Sequence, residues 1–184
     1  VYVTLASSLN SSANVRGEQL LTQVRNIVAI TGKGKVNLIG HSQGGLDSRY
    51  VIGVAPTLVA SVTTVGTPHK GSKVADIALK ALKGEPTGLL QSAANALVSG
   101  VGQLITGASG GGSSDQSLSG TLTTLSTAGA ASFNQRFPAG VPTSACGTGA
   151  TQSQGIKFYS WGGSQPLTNV LAPLELVFTA SSLG

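Results

Sequence analysis

KVNLIGHSQGGLDSRY, Lys35 to Tyr50, changes its hydrophobic period halfway along. Val36, Leu38 and Ile39 come first, β-branched and apolar in the manner of a short buried strand. Gly40-His41-Ser42-Gln43-Gly44 follows, too rich in glycine to extend that strand. Leu46, Tyr50 and Val51 then recur at the spacing of one helix face. The stretch reads as strand, sharp turn and helix, with a serine at the apex.

That arrangement is a nucleophile elbow, G-x-S-x-G between strand and helix. The tight turn holds Ser42 in a strained conformation with its hydroxyl projecting above the sheet edge, which makes it the candidate nucleophile. Side chains two positions to either side are expected to strike neighbouring backbone, so Gly40 and Gly44 are read as steric requirements. The helix behind Ser42 aims its N–H groups at a reacting carbonyl, and the Gln43 N–H is the candidate oxyanion donor. His41 is read as structural, pointing away from the serine. The pattern alone decides little in a chain with 26 glycines among 184 residues. Gly107-Ala108-Ser109-Gly110-Gly111 fits it too, but no strand precedes it and no helical period follows, so it reads as flexible loop. Context separates the two.

Working outward, Gly17 to Thr31 places Leu20, Leu21, Val24, Ile27 and Val28 on one helical face, with Gly32 set to end the helix. Val1 to Leu5 reads as a strand, Ala6 to Val15 as a polar loop, and Val59 to Val65 as a further strand after Pro56. The order β-α-β-α-β predicts a right-handed parallel sheet with helices on its faces. Together with the elbow this gives an α/β class, an α/β-hydrolase fold in part, in one domain over 1–184. Lys73 to Leu82 is predicted as a helix and Ile156 to Trp161 as a strand. Leu89 to Ile105 has a strong helical stripe of small and aliphatic residues. With the glycine-rich segment it makes 86–114 a candidate lid insertion, an ordinary core-facing helix being the plainer alternative.

Composition narrows the class. A 40% hydrophobic content supports one core, and 9% charged residues without long charge blocks excludes a chain disordered throughout. No apolar run approaches the ~20 residues of a membrane-spanning helix. The net charge is +5; Lys70, Lys73, Lys80 and Lys83 fall together, but without interleaved aromatic residues. They read as a solvated helix face, not a nucleic-acid patch. The chain begins at Val1 and contains no methionine, which is expected of a processed product or an internal fragment.

VNLIGHSQGGLDSRYV followed by VASVTTVGTPHKGSKVAD resembles the secreted, foldase-dependent triacylglycerol lipases of the Pseudomonas and Burkholderia type. RGEQLL at Arg16 to Leu21, FNQRFP at Phe133 to Pro138 and YSWGG at Tyr159 to Gly163 fit the same family in order. The resemblance implies a secreted hydrolase of long-chain acylglycerols at a lipid–water interface. Ser42 would be its nucleophile and Gln43 one oxyanion donor, with a lid at Leu89–Ile105. It also implies a foldase chaperone as partner and a structural calcium, whose ligands fall outside this chain, leaving no cofactor or metal site within it.

The departures from the family are equally informative. A triad on this fold runs Ser, then Asp or Glu, then His. After Ser42 the acids are Asp47, Asp76, Glu85, Asp115 and Glu175, and the only later histidine is His69. His69 precedes all of them but Asp47, and the histidine of T-P-H-K-G is not the family's base. No residue here fills the base position, and the resemblance implies a triad Asp and His beyond Gly184 and a second oxyanion amide from a His-Gly loop before Val1. Cys146 is the sole cysteine; the family implies a disulfide to a downstream partner, with a lone thiol as the alternative. If the 184 residues were complete, a non-catalytic acyl-binding module would be the competing reading. An esterase or polyester depolymerase on the same fold would be a third.

Overall fold

The computed structural model describes residue 2 and residues 13–84, 115–144 and 147–163. The expected strand at Val1–Leu5 (apart from Tyr2), the lid candidate 86–114, Cys146 and residues 164–184 fall outside the described residues. The chain divides into two compact units, residues 1–8, 12–69 and 132–162 in the first and 9–11, 70–131 and 163–184 in the second.

The first unit is built on β1 (Val36–His41), β2 (Val59–Val65), β3 (Gln152–Ser153) and β4 (Ile156–Trp161), in sheet order β1-β2-β4-β3. β1 pairs parallel with β2, and β2 parallel with β4. β3 joins β4 antiparallel through Gln154 and Gly155, both at positive φ, as a two-residue hairpin turn requires. Parallel pairing matches the β-α-β reading; the short β3 was not anticipated.

Strand alternation sorts the side chains. Leu38 and Val62 pair in register and are buried with Val59 and Ile156 against Leu21 and Val24 of α1 (Ala13–Thr31) and Val51 and Ile52 of α2 (Gln43–Val54). Each such side chain, fully buried, contributes about 1.5–3 kcal/mol relative to exposure. Ile39, Tyr159 and Trp161 alternate to the other face and are exposed. α1 begins at Ala13, four residues before the expected Gly17, because Ala13 and Gly17 are themselves buried. Gly32 ends it at φ +65, its N–H reaching the Val28 carbonyl at 3.0 Å.

In the second unit α3 (Lys73–Leu82) has the expected bounds, and α4 (Asp115–Leu125) and α5 (Thr127–Arg136) are helices not anticipated from sequence. Ala75 and Ala78 of α3 are buried with Leu122 of α4. Lys70, Lys73, Lys80 and Lys83 are exposed, the solvated arrangement expected. Ser126 caps α5, its hydroxyl accepting the Gly129 N–H at 3.0 Å. The Asp76 carboxylate accepts the Thr127 N–H and hydroxyl, each at 2.9 Å. The last five residues of α5 belong to the first unit.

Candidate active site

Ser42 stands between β1 and α2 with φ 52 and ψ −126. L-residues rarely adopt this region, and holding one there costs of order 1–3 kcal/mol. Backbone and loop contacts supply the hold. The Ser42 N–H donates to the Val65 carbonyl at 2.9 Å, and the Ser42 carbonyl accepts the Gly45 N–H at 3.1 Å. That carbonyl also accepts the Thr67 hydroxyl at 2.8 Å.

The glycines of the elbow divide differently from expectation. A Cβ on Gly40 would lie 2.4 Å from the Gly44 carbonyl oxygen, so Gly40 is required as anticipated. Gly44 itself faces open space, which corrects the reading of it as a steric necessity. The crowded position is Gly45, where a Cβ would lie 2.1 Å from Thr67 Oγ1. The loop after β2 approaches the elbow there, and a motif written within one segment does not register that approach.

One side of α2 is held by three consecutive residues of α1. Arg16 donates through Nε at 3.1 Å and Nη2 at 2.9 Å to Asp47 Oδ2. Gly17 lets the helices close, since a Cβ there would meet Tyr50 Cγ at 2.3 Å. Glu18 accepts the Tyr50 hydroxyl. Asp47 is almost wholly buried, and its Oδ1 has no hydrogen-bond partner among the described residues. Burial pushes its pKa up to about 6, against the pull of the Arg16 charge and hydrogen bond.

The other side is held by the F-N-Q-R-F segment and the loop after β2. Arg49 is buried, donating to Asn134 Oδ1 at 2.9 Å and to the Phe137 carbonyl. Its guanidinium lies 5.1 Å from the Phe133 ring centroid. Burial lowers its pKa to about 10, so it stays charged at neutral pH. Asn134 turns its amide nitrogen to the His69 carbonyl at 2.7 Å. Phe137 packs near Tyr50, ring centroids 5.2 Å apart.

Neither histidine serves Ser42 among the described residues. His41 is exposed at the end of β1, and no hydrogen bond joins it to the serine. His69 Nδ1 lies 3.4 Å from Arg49 Nη1, which can only donate. Nδ1 is therefore the acceptor, and Nε2 carries the proton toward Thr64 Oγ1 at 3.0 Å. Burial, with Arg49 beside it, lowers the pKa of His69 to about 4. It is a neutral brace between Arg49 and Thr64. Asp47 and Asp76 are engaged with Arg16 and Thr127. Among the described residues no three His, Cys, Asp or Glu side chains gather to hold a metal, so the calcium implied by the resemblance finds no ligand set there. No described helix is long and apolar enough to cross a membrane.

A sequence profile of the family described as alpha/beta hydrolase fold matches residues 9–178. The chain belongs to that family. As an α/β-hydrolase it is 49% identical over 177 residues to a triacylglycerol lipase of Vibrio cholerae, covering 96% of this chain and 55% of that protein. It is 50% identical over 182 residues to a triacylglycerol lipase of Burkholderia plantarii, covering 93% of this chain and 50% of the relative. Against a triacylglycerol lipase of Pseudomonas fragi the identity is 39% over 192 residues, 97% of this chain and 64% of the relative. The chain thus spans about half the length of the curated relatives it matches. A Bacillus licheniformis lipase, BlEst2 in propeptide form, matches in structure with a TM-score of 0.52 at 21% identity, over 82% of this chain and 26% of the other. At that identity the likeness speaks for the fold alone.

Proposed function

We infer that this α/β-hydrolase is a serine-dependent carboxylic ester hydrolase, a triacylglycerol lipase that cleaves long-chain acylglycerols through an acyl-enzyme on Ser42. The observation that carries the reading is the backbone of Ser42, held at φ 52 and ψ −126 at a strand–helix junction. Strain of that kind serves a residue whose side chain must be presented. Identity of 39–50% to bacterial triacylglycerol lipases over nearly the whole chain supports the substrate class.

In this mechanism Ser42 Oγ attacks the ester carbonyl and its proton passes to a histidine base. The carbonyl oxygen becomes an oxyanion facing the Gln43 N–H and a second amide. Collapse breaks the ester C–O bond, and the base returns the proton to the departing alcohol. Water then adds to the acyl carbon, is deprotonated by the same base, and releases the fatty acid and free Ser42. The engagement of both ring nitrogens of His69, with Arg49 and Thr64, speaks against it as the base. The base and its acid are assigned to sequence outside these 184 residues, with the calcium ligands. Secretion, a foldase chaperone, a lid in 86–114 and a disulfide from Cys146 belong to the same reading.

Ser42→Ala in the full chain is expected to abolish ester turnover while leaving the thermal midpoint nearly unchanged. Turnover retained by that variant would overturn the proposal. The absence of a histidine beside Ser42 among the described residues favours a second reading, a hydrolase-like acyl-binding module. Measurable acyl-ester turnover by the wild-type full chain, lost in Ser42→Ala, rejects that alternative.

A further inference from the structure

Thr67 stands in the loop after β2, distant from Ser42 in sequence and outside the G-x-S-x-G pattern. Its hydroxyl donates to the Ser42 carbonyl at 2.8 Å. That carbonyl belongs to the Ser42–Gln43 peptide, whose N–H is that of Gln43. A trans peptide is planar, with C=O and N–H pointing in opposite directions, and there are no cis bonds among the described residues. Whatever fixes the carbonyl therefore fixes the direction of the N–H.

The loop carrying Thr67 is secured at several points. Gly66, at φ +57, donates its N–H to the Trp161 carbonyl at 2.8 Å, and the His69 N–H closes on the Thr67 carbonyl at 2.9 Å. Asn134 holds the His69 carbonyl, and the His69 ring is set between Arg49 and Thr64. Thr67 is itself β-branched and stiff at χ1. Gly45 gives it room, because any Cβ there would overlap the threonine side chain.

We propose that Thr67 is the positioning residue of the elbow: by holding the Ser42 carbonyl it fixes the plane of the Ser42–Gln43 peptide and aims the Gln43 N–H at the oxyanion. The proposal rests on the ester-hydrolase reading above. It gives the second glycine of the Gly44-Gly45 pair a catalytic reason, and it makes His69 and Asn134 supports of the loop that does the aiming.

The test compares Thr67→Val, which keeps the shape and loses the hydroxyl, with Thr67→Ser, which keeps the hydroxyl, both in the full chain. Thr67→Val is expected to lower kcat on a soluble short-chain ester about ten-fold, less than loss of an oxyanion donor itself. KM should stay within about two-fold, because ground-state binding does not use the aimed N–H. Thr67→Ser is expected to restore most of kcat. A trifluoromethyl ketone supplies a second readout. Its carbonyl carbon bonds to Ser42 Oγ, the hydroxyl proton leaves to a base, and the carbonyl oxygen takes the negative charge. Affinity for it should fall in Thr67→Val by about the same factor as kcat.

Wild-type kcat in Thr67→Val would overturn the proposal. So would a loss of kcat with unchanged ketone affinity, or equal loss in Thr67→Ser. If Thr67→Val does not fold, Thr67→Ala carries the same comparison. The two readings fail separately: active Ser42→Ala removes the ester-hydrolase reading, whereas inactive Ser42→Ala with unaffected Thr67→Val removes only the role of Thr67.

Discussion

Two buried charges on the same helix are held in opposite ways. Asp47, on the α1 side of α2, has an opposite charge in Arg16 yet keeps one oxygen without a partner among the described residues. Arg49, on the other side, has no carboxylate partner among the described residues. Its Nη atoms instead meet the Asn134 amide oxygen, the Phe137 carbonyl and His69 Nδ1, with the Phe133 ring below, while its Nε, like Asp47 Oδ1, has no hydrogen-bond partner among the described residues. The ion pair looks stronger on paper, but burial outweighs the attraction and raises the pKa of Asp47. A charge match alone does not compensate desolvation, and neither do neutral partners, since burial also lowers the pKa of Arg49 to about 10.

The largest expected effect breaks the Arg49 side. Arg49→Ala strands Asn134, the Phe137 carbonyl and His69 at once, and should lower unfolding free energy by about 4 kcal/mol in urea titrations, the range seen when a buried charge network loses one member. Asp47→Asn keeps the shape on the opposite side, and its effect is a matter of pH. The pKa of Asp47 rises on folding from 3.8 to about 6, so its contribution is fully present below 3.8 and is lost as pH rises through 6. Relative to Asp47→Asn, the wild-type protein should lose about 2 kcal/mol across that window, after discounting for solvent screening.

His69 sharpens the contrast because its slope is opposite. Its pKa falls on folding from 6.5 to about 4, so its contribution is present above 6.5 and is lost as pH falls through 4. Relative to His69→Gln, the wild type should lose about 1.5 kcal/mol on going from pH 7 to 4. Between pH 4 and 6 the two groups offset one another in the wild type. Each single variant should unmask the other's slope in melts recorded across that range.

Much of this was legible in the sequence. The elbow, α3, β2 and β4 were placed because their apolar periods are clean and glycine or proline punctuates them. The helices α4 and α5 were not. Their sequence is mostly Ser, Thr, Gly and Ala, and burial of Leu122, Ala130 and Phe133 decides what propensity leaves open. The need for glycine was assigned to Gly44 from the motif, whereas Thr67 imposes it on Gly45. The Arg16–Asp47 pair and the Arg49 brace join residues 31 and 85 positions apart, a separation at which local pattern carries no signal. R-G-E and F-N-Q-R-F were recognisable as motifs, but only the structure makes them two braces on one helix.

The most direct test of Ser42 as the nucleophile is to trap its covalent adduct. The full chain would be incubated with an alkyl fluorophosphonate, digested and mapped by mass spectrometry. Modification confined to the peptide bearing Ser42, absent in Ser42→Ala and accompanied by stoichiometric loss of ester turnover, is the expected result. Loss of turnover with the label on another residue, or full turnover after complete labelling of Ser42, would contradict it.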